Sequence, residues 1–169
     1  MDQDKGMGFD IATGAAAGAA ATLAMGGVTS ALYAREDRSA RRREERARGG
    51  KSAYEIAAER AAGLVGLELS SEQEAKAGTL IHYGIGMAST ALYAAVRRRI
   101  PAPGVARGLG FGATLWLVAD EGANPLLGLT PGPGSFPWQA HARGLVGHLV
   151  FGLAAEAALS AADRLLGKR

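Results

Sequence analysis

The chain has 169 residues, enough for one compact domain, with 48% hydrophobic and 21% charged residues and a formal net charge of +3. It has no cysteine, which excludes a disulfide framework and leaves the redox compartment unread. The basic balance is not matched by an aromatic-plus-basic surface pattern, so nucleic acid is set aside as a partner in favour of phospholipid headgroups.

Residues 1–10 form a tail, and residues 11–33 (IATGAAAGAAATLAMGGVTSALY) carry no charge. A helix of about 20 residues spans about 30 Å, the thickness of a bilayer's hydrocarbon core, so 11–33 is a candidate first span. It is rich in alanine and glycine, and Gly14 with Gly18 makes a small-xxx-small pair that lets a neighbouring helix approach closely. The competing reading is a cleaved signal peptide with Lys5 as its basic start. The apolar run exceeds the roughly 7–15 residues such a peptide uses.

Residues 34–71 are a charged loop. Within it, 35–50 have no apolar period and read as solvated loop or as a helical extension on the membrane surface. Ser52 and Glu55 then form a capping box. Ile56, Ala57, Ala61 and Leu64 share one face, so a short amphipathic helix over 52–65 is expected at the interface.

Ser71 and Glu74 make a second capping box and open the second span, 72–96. It stops at Arg97, Arg98 and Arg99, and Pro101 and Pro103 mark 97–103 as a tight basic turn. The third span covers 104–123. Its Gly104, Gly108 and Gly112 recur every fourth residue as a close-packing stripe, and Arg107 snorkels to the interface. Residues 124–141 form an apolar loop with four prolines, where Phe136 and Trp138 suit an interfacial position. The fourth span, 142–166, contains Gly152 and an acid near its middle, Glu156, before a basic tail at 167–169.

The expected fold is all-α: an integral membrane bundle of four transmembrane helices with a short interfacial amphipathic helix in its first loop. A soluble Ala-rich bundle would need a polar stripe on every helix, and 11–33 offers only Thr and Ser. Four crossings put both termini on one side of the membrane, together with the 97–103 turn. The basic triplet and tail there favour cytoplasmic termini. The arginines of the first loop pull the other way, although they are interleaved with acids.

Spans two and four enter from the same side. His82 and His148 therefore both lie about 8–9 Å inside it, and Asp120 and Glu121 end the third span at similar depth. Titratable groups at membrane depth face the bundle interior, so His82, Asp120, Glu121, His148 and Glu156 are expected as an intramembrane polar cluster. Interhelical hydrogen bonding is the plain reading of that cluster. A proton or ion path through His148 and Glu156 is a second. A metal held by His82 and His148 with Asp120 or Glu121 is a third. A haem or porphyrin between His82 and His148 is a fourth, with Gly86 and Gly152 leaving room for the macrocycle. Hydrolytic chemistry by the acids comes last.

The run Pro125-Leu126-Leu127-Gly128-Leu129-Thr130-Pro131, then Pro137-Trp138, then Gly147-His148-Leu149-Val150 with Glu156 eight residues after the histidine, resembles the YagU-like family of bacterial inner membrane proteins, a domain of unknown function. The likeness covers about residues 78–164. It implies an integral, multi-pass inner membrane protein, and it carries His82, His148 and Glu156 as family positions. The arginine-rich first loop departs from the pattern. The expected role is a structural or accessory component of a membrane assembly, in contact with lipid and with other membrane helices as a homo- or hetero-oligomer. The alternatives are a channel or transporter component using His148 and Glu156, and a metal- or haem-binding protein using His82 and His148. No catalytic residue is expected.

Overall fold

The computed structural model describes residues 2–167, with side chains from Ile11 onward. The side chains of the first ten residues, Lys5 included, and the basic tail at Lys168 and Arg169 lie outside the described residues. Among the described residues the chain is all-helical, without a strand.

Helix α1 (Asp2–Arg35) is followed at once by α2 (Arg38–Arg48), so most of 35–50 is helix. Asp37 caps α2 through the amides of Ser39 and Ala40, both at 2.9 Å. The Ser39 hydroxyl and these amides hold its carboxyl below the usual range. Helix α3 (Ala53–Gly63) opens on the expected capping box: the Ser52 amide donates to Glu55 Oε2 at 2.6 Å, and the Glu55 amide to Ser52 Oγ at 3.2 Å. These bonds lower the Glu55 carboxyl.

Helix α4 (Ser71–Val96) is capped one residue earlier than expected. Ser70, extended at φ −70° and ψ 160°, pairs reciprocally with Gln73, and Ser71 is already helical. Both serines fit a cap by type, and the backbone turn decides between them. A 3-10 turn covers Arg97–Arg99, and α5 (Gly104–Trp116) follows Pro103. The chain then widens into a π-helical turn, Leu117–Ala123, before the short α6 (Asn124–Leu126). Helix α7 (Trp138–Leu165) starts directly after Pro137, four residues before the expected 142. Proline lacks only an amide that a first turn leaves unpaired anyway.

Helix α1 lies against α4 and α7, α5 against α7, and α3 against α4. Glycines decide how closely. A Cβ on Gly14 would come within 2.6 Å of the Ala91 Cα, and one on Gly18 within 2.5 Å of the Gly86 carbonyl. Along α5 and α7 the antiparallel register advances in steps of four. Gly104 meets Glu156, Gly108 meets Gly152, Gly112 meets the His148 carbonyl, and Trp116 meets Gly144.

The interior is built from small and aromatic residues: Ala17, Ala21, Tyr93, Ala94, Phe151, Ala155 and Leu159 are buried. The larger aliphatics point outward instead, among them Leu23, Leu80, Leu92, Val105, Leu117 and Leu153. Two helical segments, Ile11–Arg35 and Trp138–Leu165, are long and apolar enough to cross a membrane. Helix α4 carries Glu72, Glu74 and Lys76 in its first two turns, and α5 is 13 residues long before its π turn.

Candidate functional site: a cavity lined by histidines

All three histidines of the chain line one open cavity of about 590 Å³ at one end of the bundle. Its lining comes from α1, α3, α4, the π turn, α7 and the proline loop, and Arg60 of α3 holds that loop by donating to the Leu127 and Gly128 carbonyls at 2.6 and 2.8 Å.

Helix α4 supplies His82, whose ring meets the Tyr54 ring of α3 edge-on at 4.6 Å between centroids. Gly78 makes that contact possible, because a Cβ there would press on the Glu55 amide at 3.0 Å. Burial, with Asp120 beside it, raises the Tyr54 phenol well above its ordinary range, so it stays a neutral hydroxyl. Helix α7 supplies His148. Its Nδ1 lies 3.0 Å from the Gly144 carbonyl, an acceptor, so Nδ1 carries the proton and Nε2 is left for the cavity. The π turn brings Asp120 and Glu121 to the wall. Asp120 Oδ2 stands 3.6 Å from His148 Nδ1, beyond hydrogen-bonding distance. Gly144 keeps the space between: a Cβ there would lie 3.2 Å from Trp116 Nε1 and 3.5 Å from Asp120 Oδ2.

Glu121 pairs with His141, a residue the sequence reading did not single out. His141 Nδ1 is 2.6 Å from Glu121 Oε1, and Nε2 is 3.0 Å from the Pro133 carbonyl. Carboxylate and carbonyl both accept, so both bonds are made when the ring carries two protons. The available signal was spacing: His141 precedes His148 by two helical turns and shares its face.

The polar residues expected as one cluster therefore form two groups. His82, Asp120, Glu121 and His148 line the cavity. Glu156 sits towards the other end, where Tyr93 Oη donates to its Oε2 at 2.6 Å. Arg97, Arg107 and Ser160 donate to its Oε1 at 2.9, 3.0 and 3.1 Å. Arg97 also bonds Asp163, which Arg98 reaches at 2.7 Å. Between the two groups lie rings: Phe111 stacks on Tyr93 at 4.2 Å and meets Phe151 at 5.7 Å.

An ionic contact also ties the cavity lining to the first loop. Arg143 of α7 grips Glu44 with Nη2 at 2.6 and 2.7 Å and reaches Glu36 with Nη1. Its guanidinium also stands 4.9 Å from the Tyr33 ring centre. Glu36, in the link before α2, and Glu44 on α2 are thus turned inward.

Among the described residues no three His, Asp or Glu side chains are set to hold a metal ion. The room that Gly86 and Gly152 were expected to leave a macrocycle is filled. A Cβ on Gly86 would strike Thr22 Oγ1, and one on Gly152 the Gly108 carbonyl. Both glycines serve helix contacts.

A family model described as a protein of unknown function, DUF1440, matches residues 65–157, more than half of the chain and the part that holds His82, Asp120, Glu121, His141, His148 and Glu156. No curated protein and no solved structure matches. The chain belongs to the DUF1440 family of proteins of unknown function.

Proposed function

We propose that this is a YagU-like, four-span inner membrane protein that binds a small solute in its histidine-lined cavity, as a component of a transport or sensing assembly. The inverted packing supports the membrane reading. A water-soluble bundle hides its Leu and Val, whereas here Leu23, Leu80, Leu92, Val105 and Leu153 face out on four helices while alanine and glycine fill the contacts. The resemblance over 78–164 and the family match over 65–157 overlap over residues 78–157.

The single observation that carries the binding role is the convergence of three histidines, Asp120, Trp116 and Tyr54 from five elements on one cavity of about 590 Å³. That volume lies in the range of small-molecule sites, roughly 300–1,000 Å³. The aromatic layer of Phe111, Phe151 and Tyr93 favours a blind site over a continuous path from His148 to Glu156. A purely structural role draws less support from the glycine stripes, since Gly14, Gly18, Gly104, Gly108 and Gly112 meet helices of this same chain.

Single cysteines in the cysteine-free chain test this. In proteoliposomes, Ala140→Cys on the cavity wall should react with a water-soluble maleimide added to one side, while Leu92→Cys and Leu153→Cys should not react. Equal labelling of all three would reject the membrane bundle. No labelling of Ala140→Cys from either side would reject the open cavity.

A further inference from the structure

We infer that the cavity's ligand is a small organic monocation, with Asp120 as its counter-ion and aromatic rings as its walls. The inference rests on the solute-binding reading and adds the chemistry of the ligand. The charged groups lining the cavity are nearly all committed elsewhere. Arg48 is bridged to Glu44 at 2.6 Å, and Arg143 to Glu44 and Glu36. Glu55 closes its capping box on the Ser52 amide, and Glu121 is bridged to His141. Asp120 is different. Among the described residues it accepts no hydrogen bond, and His148 Nδ1 beside it at 3.6 Å already turns its proton to the Gly144 carbonyl. Its side chain is 31% exposed, and it opens on the cavity.

An anion would find no free cation there, because the wall's arginines already hold carboxylates. A metal ion would find no three suitable ligands among the described residues. An organic cation finds the Asp120 carboxylate, without a hydrogen bond among the described residues, and the rings of Tyr54, Tyr83, Trp116 and Phe136 lining the same cavity. Aromatic faces attract ammonium groups, more so when both are shielded from water. An ammonium at Asp120 also leaves His82 and His148 Nε2 able to bond a hydroxyl on the same molecule.

The test is a titration of the full chain in nanodiscs with choline, with 3,3-dimethylbutan-1-ol as the uncharged analogue of the same shape, and with acetate. Trp116 fluorescence is read in a Trp138→Phe background. Choline should give a saturable change, with the uncharged analogue weaker by roughly tenfold or more. Asp120→Asn should weaken choline by roughly tenfold or more and Asp120→Glu should restore most of it, both with unchanged thermal unfolding. Equal binding of choline and its uncharged analogue would overturn the cation assignment and leave the solute-binding reading standing. So would acetate binding best, or undiminished choline binding by Asp120→Asn. A cavity closed to the maleimide at Ala140→Cys would instead remove the solute-binding reading itself.

Discussion

Tyr93 on α4 donates a 2.6 Å hydrogen bond to Glu156 on α7, joining the two helices at the end of the bundle away from the cavity. Arg97 and Arg107 neutralise the same carboxylate, and Arg97 and Glu156 are almost fully buried, with 3% and 5% of their side chains exposed. Such a cluster holds helices in place. It does not present a free acid to a ligand.

Replacing Glu156 with Gln should therefore be costly. Two guanidinium groups would lose their counter-charge, one of them deeply buried. Loss of one partner of a buried pair costs about 3–5 kcal/mol. Tyr93→Phe, which keeps the ring stack on Phe111, should cost about 1.5–3 kcal/mol for a hydrogen bond to a charged group. Thermal unfolding in detergent measures both, and equal stability of Glu156→Gln and the parent chain would contradict the locking role.

Gly152→Ala should separate α5 from α7. Its Cβ would meet the Gly108 carbonyl and come 2.7 Å from the Gly112 amide nitrogen, backbone atoms with no rotamer to retreat into. Overpacking of this kind costs about 1–3 kcal/mol. Gly110→Ala, the same change on α5, meets nothing within 4 Å and should be neutral or stabilising by about 0.5–1 kcal/mol. Of the two variants, Gly152→Ala alone should lower the melting temperature.

Arg143→Met should release α2 while leaving α1, α4, α5 and α7 paired. The helix is held by Glu44, whose side chain is 3% exposed against Arg143, and by Glu36. Hydrogen exchange over residues 38–48 should accelerate strongly, with residues 80–95 unchanged. Unchanged protection of α2 would mean that its own capping by Asp37 suffices.

The pH dependence of the charged loop has two limbs. The carboxyl of Asp37 is lowered in the folded chain, so its contribution is complete above its unfolded value of about 3.9 and is lost as pH falls through the lower folded value. Lys51 is raised to about 12 by its bonds to Glu59 and Glu74, so its bridge from α3 to α4 is complete below about 10.4 and is lost as pH rises through about 12. Circular dichroism should report helix loss at both extremes. The Asp37→Ala variant should lack the acid limb, and Lys51→Met the alkaline one.

By itself the sequence determined the apolar helices, the Ser52 capping box and the four-residue spacing of Gly104, Gly108 and Gly112, because apolar runs, caps and periodicity are local properties of the chain. Counting residues from the segment ends also brought His82, His148, Asp120 and Glu121 to one depth, since rise along a helix needs no knowledge of its neighbours. Tertiary structure decided the rest. Depth along a helix leaves rotation about its axis open, and rotation is set where one glycine backbone seats on another, as Gly108 does on Gly152. That seating turns Glu156 towards Arg97 and Arg107, selects Arg97 from three adjacent arginines, and pairs His141 with Glu121. The first loop, whose acids and bases are interleaved along the chain, is sorted by Arg143 of α7. It draws Glu36 and Glu44 inward and leaves Arg42, Arg43 and Arg46 facing out.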